Sequence, residues 1–460
     1  MKWNEALYKA LPVLDSLESS GYEAVFVGGC VRDTIMGRQL KDVDIASSAT
    51  PHQVMEIFPH TIATGLKHGT VTVMQDGEAY EITTYRTESS YEQFRRPAQV
   101  EFVTSLEADL ERRDFTINAI AMRRDGTLVD PYGGLLDMER RILRCVGDSD
   151  ARFQEDALRM VRAVRFAAEF RMDIAADTWH ALRRHGKLLS HVAMERVGAE
   201  SDKMLGGSNP LGALLWMAAS GLLAHTKQKL SDKLTAAAEV KLSDNDAGER
   251  CVSVMAPSHC KLGAISSLEH LDDRWSALCM ACSLTADETA ELIASMCYSN
   301  GRRSQISAVV RVYRWIQTEA AASVIEDGQL RLQWTRVMLD EGRQASQACL
   351  HIMDRLPALF LPASGGTETR HADGGGKFAP LQRWLDELPI SSLRELAVDG
   401  AEMLQALGRP GGPWLGRLLN ELVFAVASHQ VSNDRDRLLA YAAASMEVSG
   451  SVNKADKESS

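Results

Sequence analysis

The chain has 460 residues, 45% hydrophobic and 25% charged, the balance of an ordinary globular protein long enough for three or four domains. No stretch approaches the roughly eighteen uninterrupted apolar residues of a membrane span. Met1-Lys2-Trp3-Asn4-Glu5 lacks the apolar run of a secretory signal, so neither insertion nor export is expected. The net charge of −11 excludes a surface that grips nucleic acid everywhere, because phosphate binding runs on Lys and Arg. Any RNA contact must use a local basic track, with the acidic remainder rejecting non-specific RNA.

The eight cysteines are sparse and irregularly spaced, the pattern of buried thiols in a cytoplasmic protein. Cys279 and Cys282 form the one CxxC, without a second pair at zinc-ribbon spacing, in a segment (Arg274 to Leu284) that otherwise reads as packed helix.

Along the chain, the first 150 residues alternate β-rich runs with helical segments. Ala24 to Val27 is a strand ending in Gly28-Gly29, and Val43 to Ala46 is a second. Thr70 to Met74 and Tyr80 to Tyr85 flank Asp76-Gly77, a hairpin signal, and Ala119 to Met122 and Thr127 to Val129 flank Asp125-Gly126, another. These predict an α/β domain around a small mixed sheet over residues 1–148. From Ala151 onward helical periodicity takes over, with many Ala, Leu, Arg and Glu. Gly365-Gly366 and Gly374-Gly375-Gly376 bracket a polar loop at a boundary. Helices resume at Pro380 and run to about Ser445, and residues 446–460 read as a disordered tail.

Gly28-Gly29-Cys30-Val31-Arg32-Asp33 follows a strand and opens a helix. Glycines there let the backbone approach a ligand closely, and the exposed N–H groups of a helix start favour phosphate. A plain strand–turn–helix would also take glycine; Arg32 in the same turn favours an anion. Ten residues on, Asp42 and Asp44 flank Val43. On a strand, residues two apart share a face, so two carboxylates stand side by side, which is unfavourable without a cation. Hard oxygen ligands suit Mg²⁺, which takes a few carboxylates plus substrate phosphates. A carboxylate pair next to a phosphate turn is the layout for in-line nucleotidyl transfer with two metals. Glu81 is the obvious candidate for a third carboxylate, and Arg86 for a phosphate contact; neither is assigned.

The segment Gly28 to Asp33 with Asp42 and Asp44 resembles the signature of the polymerase-beta-like nucleotidyltransferase superfamily. More narrowly, it is similar to the class II tRNA nucleotidyltransferases and bacterial poly(A) polymerases. Arg112-Arg113-Asp114-Phe115-Thr116-Ile117-Asn118-Ala119 resembles the family's RRDFTxNA block. Asp130-Pro131-Tyr132-Gly133-Gly134 with Asp137 and Ile142 to Arg144 resembles its hinge between head and neck. Glu155-Asp156 with Arg159, Arg162 and Arg165 resembles the EDxxRxxRxxR neck helix. Asp156 and Arg159, at i and i+3, predict an ion pair on one helix; a carboxylate offers only acceptors and a guanidinium only donors, so together they could read a base edge. A plain charged helix surface is the alternative. In the family this pair resembles a protein template choosing C or A.

The resemblance implies an α+β architecture. A nucleotidyltransferase head (1–148) is followed by an all-helical neck for nucleotide selection (149–205), a helical body (206–362) and a helical tail that binds tRNA (363–445). It implies transfer of CMP and AMP from CTP and ATP to the 3′ end of tRNA, with Asp42 and Asp44 as catalytic Mg²⁺ ligands. Nucleotide contacts fall on Gly28, Gly29, Arg32, Arg113, Asp156, Arg159, Arg162 and Arg165. The partners implied are the tRNA 3′ end and acceptor arm, no membrane, and room for a homodimer. Thr64 to Val71 resembles bacterial CCA-adding enzymes rather than poly(A) polymerases. Arg86 to Val103 keeps a full-length loop, with Tyr91 and Arg95-Arg96-Pro97, although Gln93 stands where the family more often has Asp. Val192 to Arg196, the Gly411 to Gly416 segment and Asn433 resemble the Bacillus-type enzymes. An A-adding or CC-adding partner of a split pair, a poly(A) polymerase and an inactive RNA-binding homologue are the competing readings.

Overall fold

The computed structural model describes residues 4–92, 96–235, 241–245, 251–255, 260–320, 327–360 and 379–458. Gln93, Arg95 and the glycine-flanked loop at 365–376 lie outside them. The chain divides into two compact units, Met1–Cys260 with Ser295–Tyr298, and Lys261–Ala294 with Ser299–Ser460.

The first unit opens with α1 (Glu5–Ser19), whose first turn is capped by the Asn4 side chain accepting from the Ala6 N–H at 3.0 Å. β1 (Ala24–Val27) is buried throughout, as its unbroken apolar run requires. It leads through Gly28 into α2 (Gly29–Ile35). β2 (Asp44–Ser47) follows, then α3 (Pro51–Ile57), which Thr50 and Gln53 close with a capping box. β3 (Thr61–Gly65), β4 (Thr70–Gln75) and β5 (Glu78–Thr84) complete one wing of the sheet, and β8 (Ala121–Met122) and β9 (Leu128–Val129) the other. The order is β3-β4-β5-β2-β1-β8-β9, seven strands, with β2 and β5 parallel and the other pairs antiparallel. The expected mixed sheet is present, and both Asp-Gly hairpins close as read. In the chain between β5 and β8, β6 (Arg86–Glu92) and β7 (Arg96–Phe102) form a separate two-stranded ribbon. One face of the sheet packs Val25, Val27, Ala46 and Ala121 against Leu106 and Leu110 of α4 (Leu106–Glu111).

α5 (Gly134–Arg140) is tied to the head at its first turn. Asp130 accepts from the Gly134 and Leu135 N–H groups at 2.7 and 2.8 Å, and Asp137 from the Thr116 hydroxyl at 2.7 Å. A Cβ on Gly134 would sit 2.2 Å from the Thr116 carbonyl, so no other residue fits there.

The remainder is mostly helical, with two departures from the sequence reading. The neck and the body, both expected to be all-helical, each contribute strands. β10 (Ile142–Leu143), β11 (Asp173–Ala175), β12 (Lys241–Asn245) and β13 (Cys251–Met255) form a four-stranded sheet in the order β10-β11-β13-β12. Strands of two or three residues are too short to carry a period, and Cys251-Val252-Ser253-Val254 opens on two apolar neighbours, so it does not alternate strictly either. Around that sheet stand α6 (Ser149–Glu155), α7 (Leu158–Phe170), α8 (Ala176–His185), α9 (Met194–Gly206) and α10 (Pro210–Ser220), with α7 packed on α9 and α10.

The second unit is helical, including Leu271–Ala281, Asn300–Trp315 and Arg343–Arg355. Its C-terminal part buries Met403, Leu418, Leu422 and Leu438 in one cluster. The last helix runs Arg435–Glu458, where a disordered tail was expected from 446. Extending an existing helix needs no new nucleus, and Lys454, Ala455, Lys457 and Glu458 are good helix formers.

Candidate active site

The turn after β1 places the site. Gly28 has φ +69° and ψ −129°, a conformation closed to side-chain-bearing residues. A Cβ there would lie 3.0 Å from Arg113 Nη1 and 3.9 Å from Asp44 Oδ2, so this glycine brings backbone, arginine and carboxylate together. Asp44 begins β2 at the centre of the sheet, and the exposed Asp42 precedes the strand by two residues. Burial, then the charge of Asp42, push the Asp44 carboxyl up to about 6, with Glu81 adding and Arg113 and Arg32 opposing. Glu81 belongs to this neighbourhood by register, since it is the partner of Asp44 across the parallel β2–β5 pair.

A carboxyl that burial and a second carboxylate keep from ionising, as at Asp44, fits a hard divalent cation. Among the described residues no three His, Cys, Asp or Glu side chains converge as a metal group. A carboxylate pair is a number suited to a cation shared with substrate oxygens.

Arg32 is buried under the turn. Its Nη1 donates to Asn118 at 2.6 Å, its Nε to Asp33 at 2.9 Å, and it lies over the Phe170 ring at 4.5 Å. It thus bolts the Gly28 turn to the Asp114–Asn118 segment. Its Nη2 lies 3.6 Å from the position of a Cβ on Gly29, so its charge stays beside the turn.

The neck motif departs from expectation. α6 ends at Glu155, Asp156 after it has an extended backbone (φ −139°, ψ 102°), and α7 starts at Leu158, so Asp156 and Arg159 do not share one helix face as i,i+3 neighbours. Asp156 pairs with Arg196 of α9 at 2.7 and 3.3 Å and accepts from the Leu158 N–H. Arg159 pairs with Glu155 at 2.6 Å and donates to the Arg112 carbonyl at 2.9 Å. The expected pair is replaced by two others, each holding one member.

Arg162 grips Asp114 through Nε at 2.8 Å and Nη2 at 2.7 Å. Burial alone would raise the Asp114 carboxyl, but Arg162 and the Asn118 amide bring it down to about 2. Arg165 is buried, bonded to Glu200 at 2.6 Å and Glu169 at 2.8 Å, with its guanidinium 4.0 Å from the Phe166 ring centroid. The structure therefore gathers Gly28, Gly29, Arg32, Asp42, Asp44 and Arg113 around one turn. It places Arg162 and Arg165 in an acid-paired spine along α7. Sequence reasoning missed Arg196 and Glu200 as partners of that spine. The signal available was an acid at Glu200 among the buried positions Val197, Ser201 and Met204 of α9.

Three family models match the chain: the poly(A) polymerase head domain over residues 24–144, a probable RNA- and SrmB-binding site of polymerase A over 171–234, and a putative tRNA nucleotidyltransferase domain 2 over 266–442. The chain is 37% identical to a CCA-adding enzyme of Geobacillus stearothermophilus over 434 residues, 94% of this chain and 96% of the relative. It is 35% identical to one of Limosilactobacillus reuteri over 430 residues, 94% of each chain. Among solved structures, the CCA-adding enzyme of Bacillus stearothermophilus in complex with CTP superposes with a TM-score of 0.75 at 33% identity, covering 98% of this chain and all of that one. The Thermotoga maritima CCA-adding enzyme complexed with tRNA shares the fold, with a TM-score of 0.58 at 17% identity, over 96% of each chain.

Proposed function

Since this chain belongs to the family of CCA-adding enzymes, we propose that it transfers CMP and AMP from CTP and ATP to the 3′ end of tRNA, building or repairing the CCA terminus. The observation that carries the reading is the Asp42–Asp44 pair set against the Gly28 turn, with Arg113 alongside. The tRNA 3′-oxygen attacks the α-phosphorus of the nucleotide; the bond to the bridging oxygen breaks, and pyrophosphate leaves with that oxygen. Asp42 and Asp44 would hold Mg²⁺, which when bound lowers the pKa of the attacking hydroxyl and neutralises charge on the triphosphate.

The open backbone at Gly28 and Gly29 admits the phosphates, and Arg32 and Arg113 supply positive charge on either side of that turn. Asp156, pinned by Arg196, offers acceptors; Arg159, pinned by Glu155, offers donors. Two side chains held by third parties present a fixed pattern to a base edge, which is how C and A would be chosen without a template. Arg162 contacts ribose or phosphate from the edge of the spine, and Arg165 holds its helix in place. The head (1–148), neck (149–205), body (206–362) and tail (363–445) would then divide catalysis, selection and tRNA binding. Among the described residues no helix is long and apolar enough to cross a membrane.

The test is product sequencing on tRNA ending at the discriminator base, given CTP and ATP together and singly. The reading expects CC with CTP alone and CCA with both. A single A only, CC only, or a long A tail would assign it to a split pair or to a poly(A) polymerase.

A further inference from the structure

Asp109 is fully buried on α4, outside the motifs that point to nucleotide or metal. Its Oδ2 accepts from Arg113 Nη2 at 3.0 Å. Its Oδ1 accepts from Arg112 Nη2 at 2.6 Å and Nε at 3.0 Å, and from the Arg86 backbone N–H at 3.3 Å. Burial by itself would raise this carboxyl, but the charges of Arg113 and Arg112 hold it below its ordinary value, so it is ionised at neutral pH. Arg113 leans on it: its Nη1 points to the Gly28 turn, and its Nε is buried without a hydrogen-bond partner. Arg86 opens the β6–β7 ribbon and also donates through Nη1 to the His68 carbonyl, so the root of the ribbon ends on the same carboxylate.

A long flexible side chain keeps one orientation only where something fixes its head group. We propose that Asp109 is a positioning residue that fixes Arg113 over the Gly28 turn, ties it to the root of the β6–β7 ribbon, and acts on the incoming nucleotide through Arg113. This rests on Arg113 as a nucleotide contact, as read above.

The test is a double-mutant cycle on the full chain, with Asp109→Asn, Arg113→Ala and the two combined. kcat and KM are measured for CTP on tRNA ending at the discriminator base and for ATP on tRNA ending in CC, with a thermal melt of each variant. Asp109→Asn keeps the shape and an acceptor but loses the charge. It should lower kcat/KM about tenfold for both nucleotides, mainly through KM, and should cost less than about twofold more once Arg113 is alanine. Asp109→Glu, which keeps the charge, should recover part of the loss, and it carries the same cycle if the asparagine variant does not fold. Losses that multiply in the double variant, or a loss confined to one nucleotide, would overturn the positioning role while leaving Arg113 as a contact. Wild-type kcat/KM in Arg113→Ala would instead remove the reading of Arg113 itself.

Discussion

At Asp44, burial and the Asp42 charge both disfavour the ionised carboxylate, and the neighbouring arginines only partly offset them. A bound divalent cation would reverse that balance, so each carboxylate has its use in the loaded site. Asp42→Ala and Asp44→Ala are expected to abolish nucleotide incorporation while leaving tRNA affinity nearly intact, measured by a primer-extension gel and by filter binding on the same preparations. More than a few per cent of activity in either variant would remove it from the metal set. Asp156 makes a different prediction, because the role proposed for it is discrimination. Losing an acceptor to a buried base edge costs on the order of 1–3 kcal/mol. Asp156→Ala should therefore lose preference for C and A over U and G by roughly tenfold to a hundredfold, with a smaller loss of turnover than the metal-site variants. Unchanged selectivity among the four nucleotides would return Asp156 to a salt-bridging role with Arg196.

Among the elements, the turn between β1 and α2 does two jobs that can be separated. Gly28 and Gly21 both have positive φ, +69° and +89°, but a Cβ on Gly28 meets Arg113 whereas one on Gly21 meets nothing within 4 Å. Alanine at either position should cost about 1–3 kcal/mol in a urea melt through backbone strain, with Gly28 at the upper end because its φ and ψ lie outside the left-handed helical region. Only Gly28→Ala should also depress kcat/KM for both nucleotides; equal activity in the two variants would deny the turn a part in catalysis. The strap from Asp114 to α7 carries a pH dependence of known sign. The folded carboxyl sits near 2, below its ordinary 3.8, so the unfolded chain binds the proton first as pH falls. The stabilisation, about 2 kcal/mol, is full above roughly pH 5, about half lost near pH 3, and gone below about pH 2. Wild-type stability should thus fall more steeply between pH 5 and 3 than that of Asp114→Asn, as followed by urea midpoints; parallel slopes would mean that the Arg162 pairing contributes nothing.

For the whole molecule, a net charge of −11 predicts that tRNA would be held by a local track rather than by a general field. A protein making six to ten phosphate contacts loses about a thousandfold or more in affinity between 50 and 200 mM salt. Here the fall should be smaller, read from tRNA binding across that range; a steeper loss would require a basic surface far wider than the head and neck arginines provide.

What the sequence determined by itself was the local chemistry. A strand run ending in paired glycines, two aspartates two residues apart, and Asp-Gly hairpins are set by backbone preference and short-range spacing. The strand, the glycine turn and both hairpins lie where the sequence places them, while β2 starts only at Asp44, so Asp42 stands just ahead of the strand rather than on it. Contacts that depend on distant segments were decided only by the tertiary fold. The β2–β5 register sets Glu81 beside Asp44. The break after α6 and the packing of α9 give Asp156 a partner 40 residues away, in place of the neighbour three residues on. The strand at 251–255 pairs with β11 and carries 241–245 on its other edge, which spacing alone could not signal, because sheet pairing carries no fixed sequence separation. Asp109 is the sharpest case: on a helix, an acid ahead of two arginines reads as surface pairing, and only its burial beneath the ribbon root and the Gly28 turn makes it a junction.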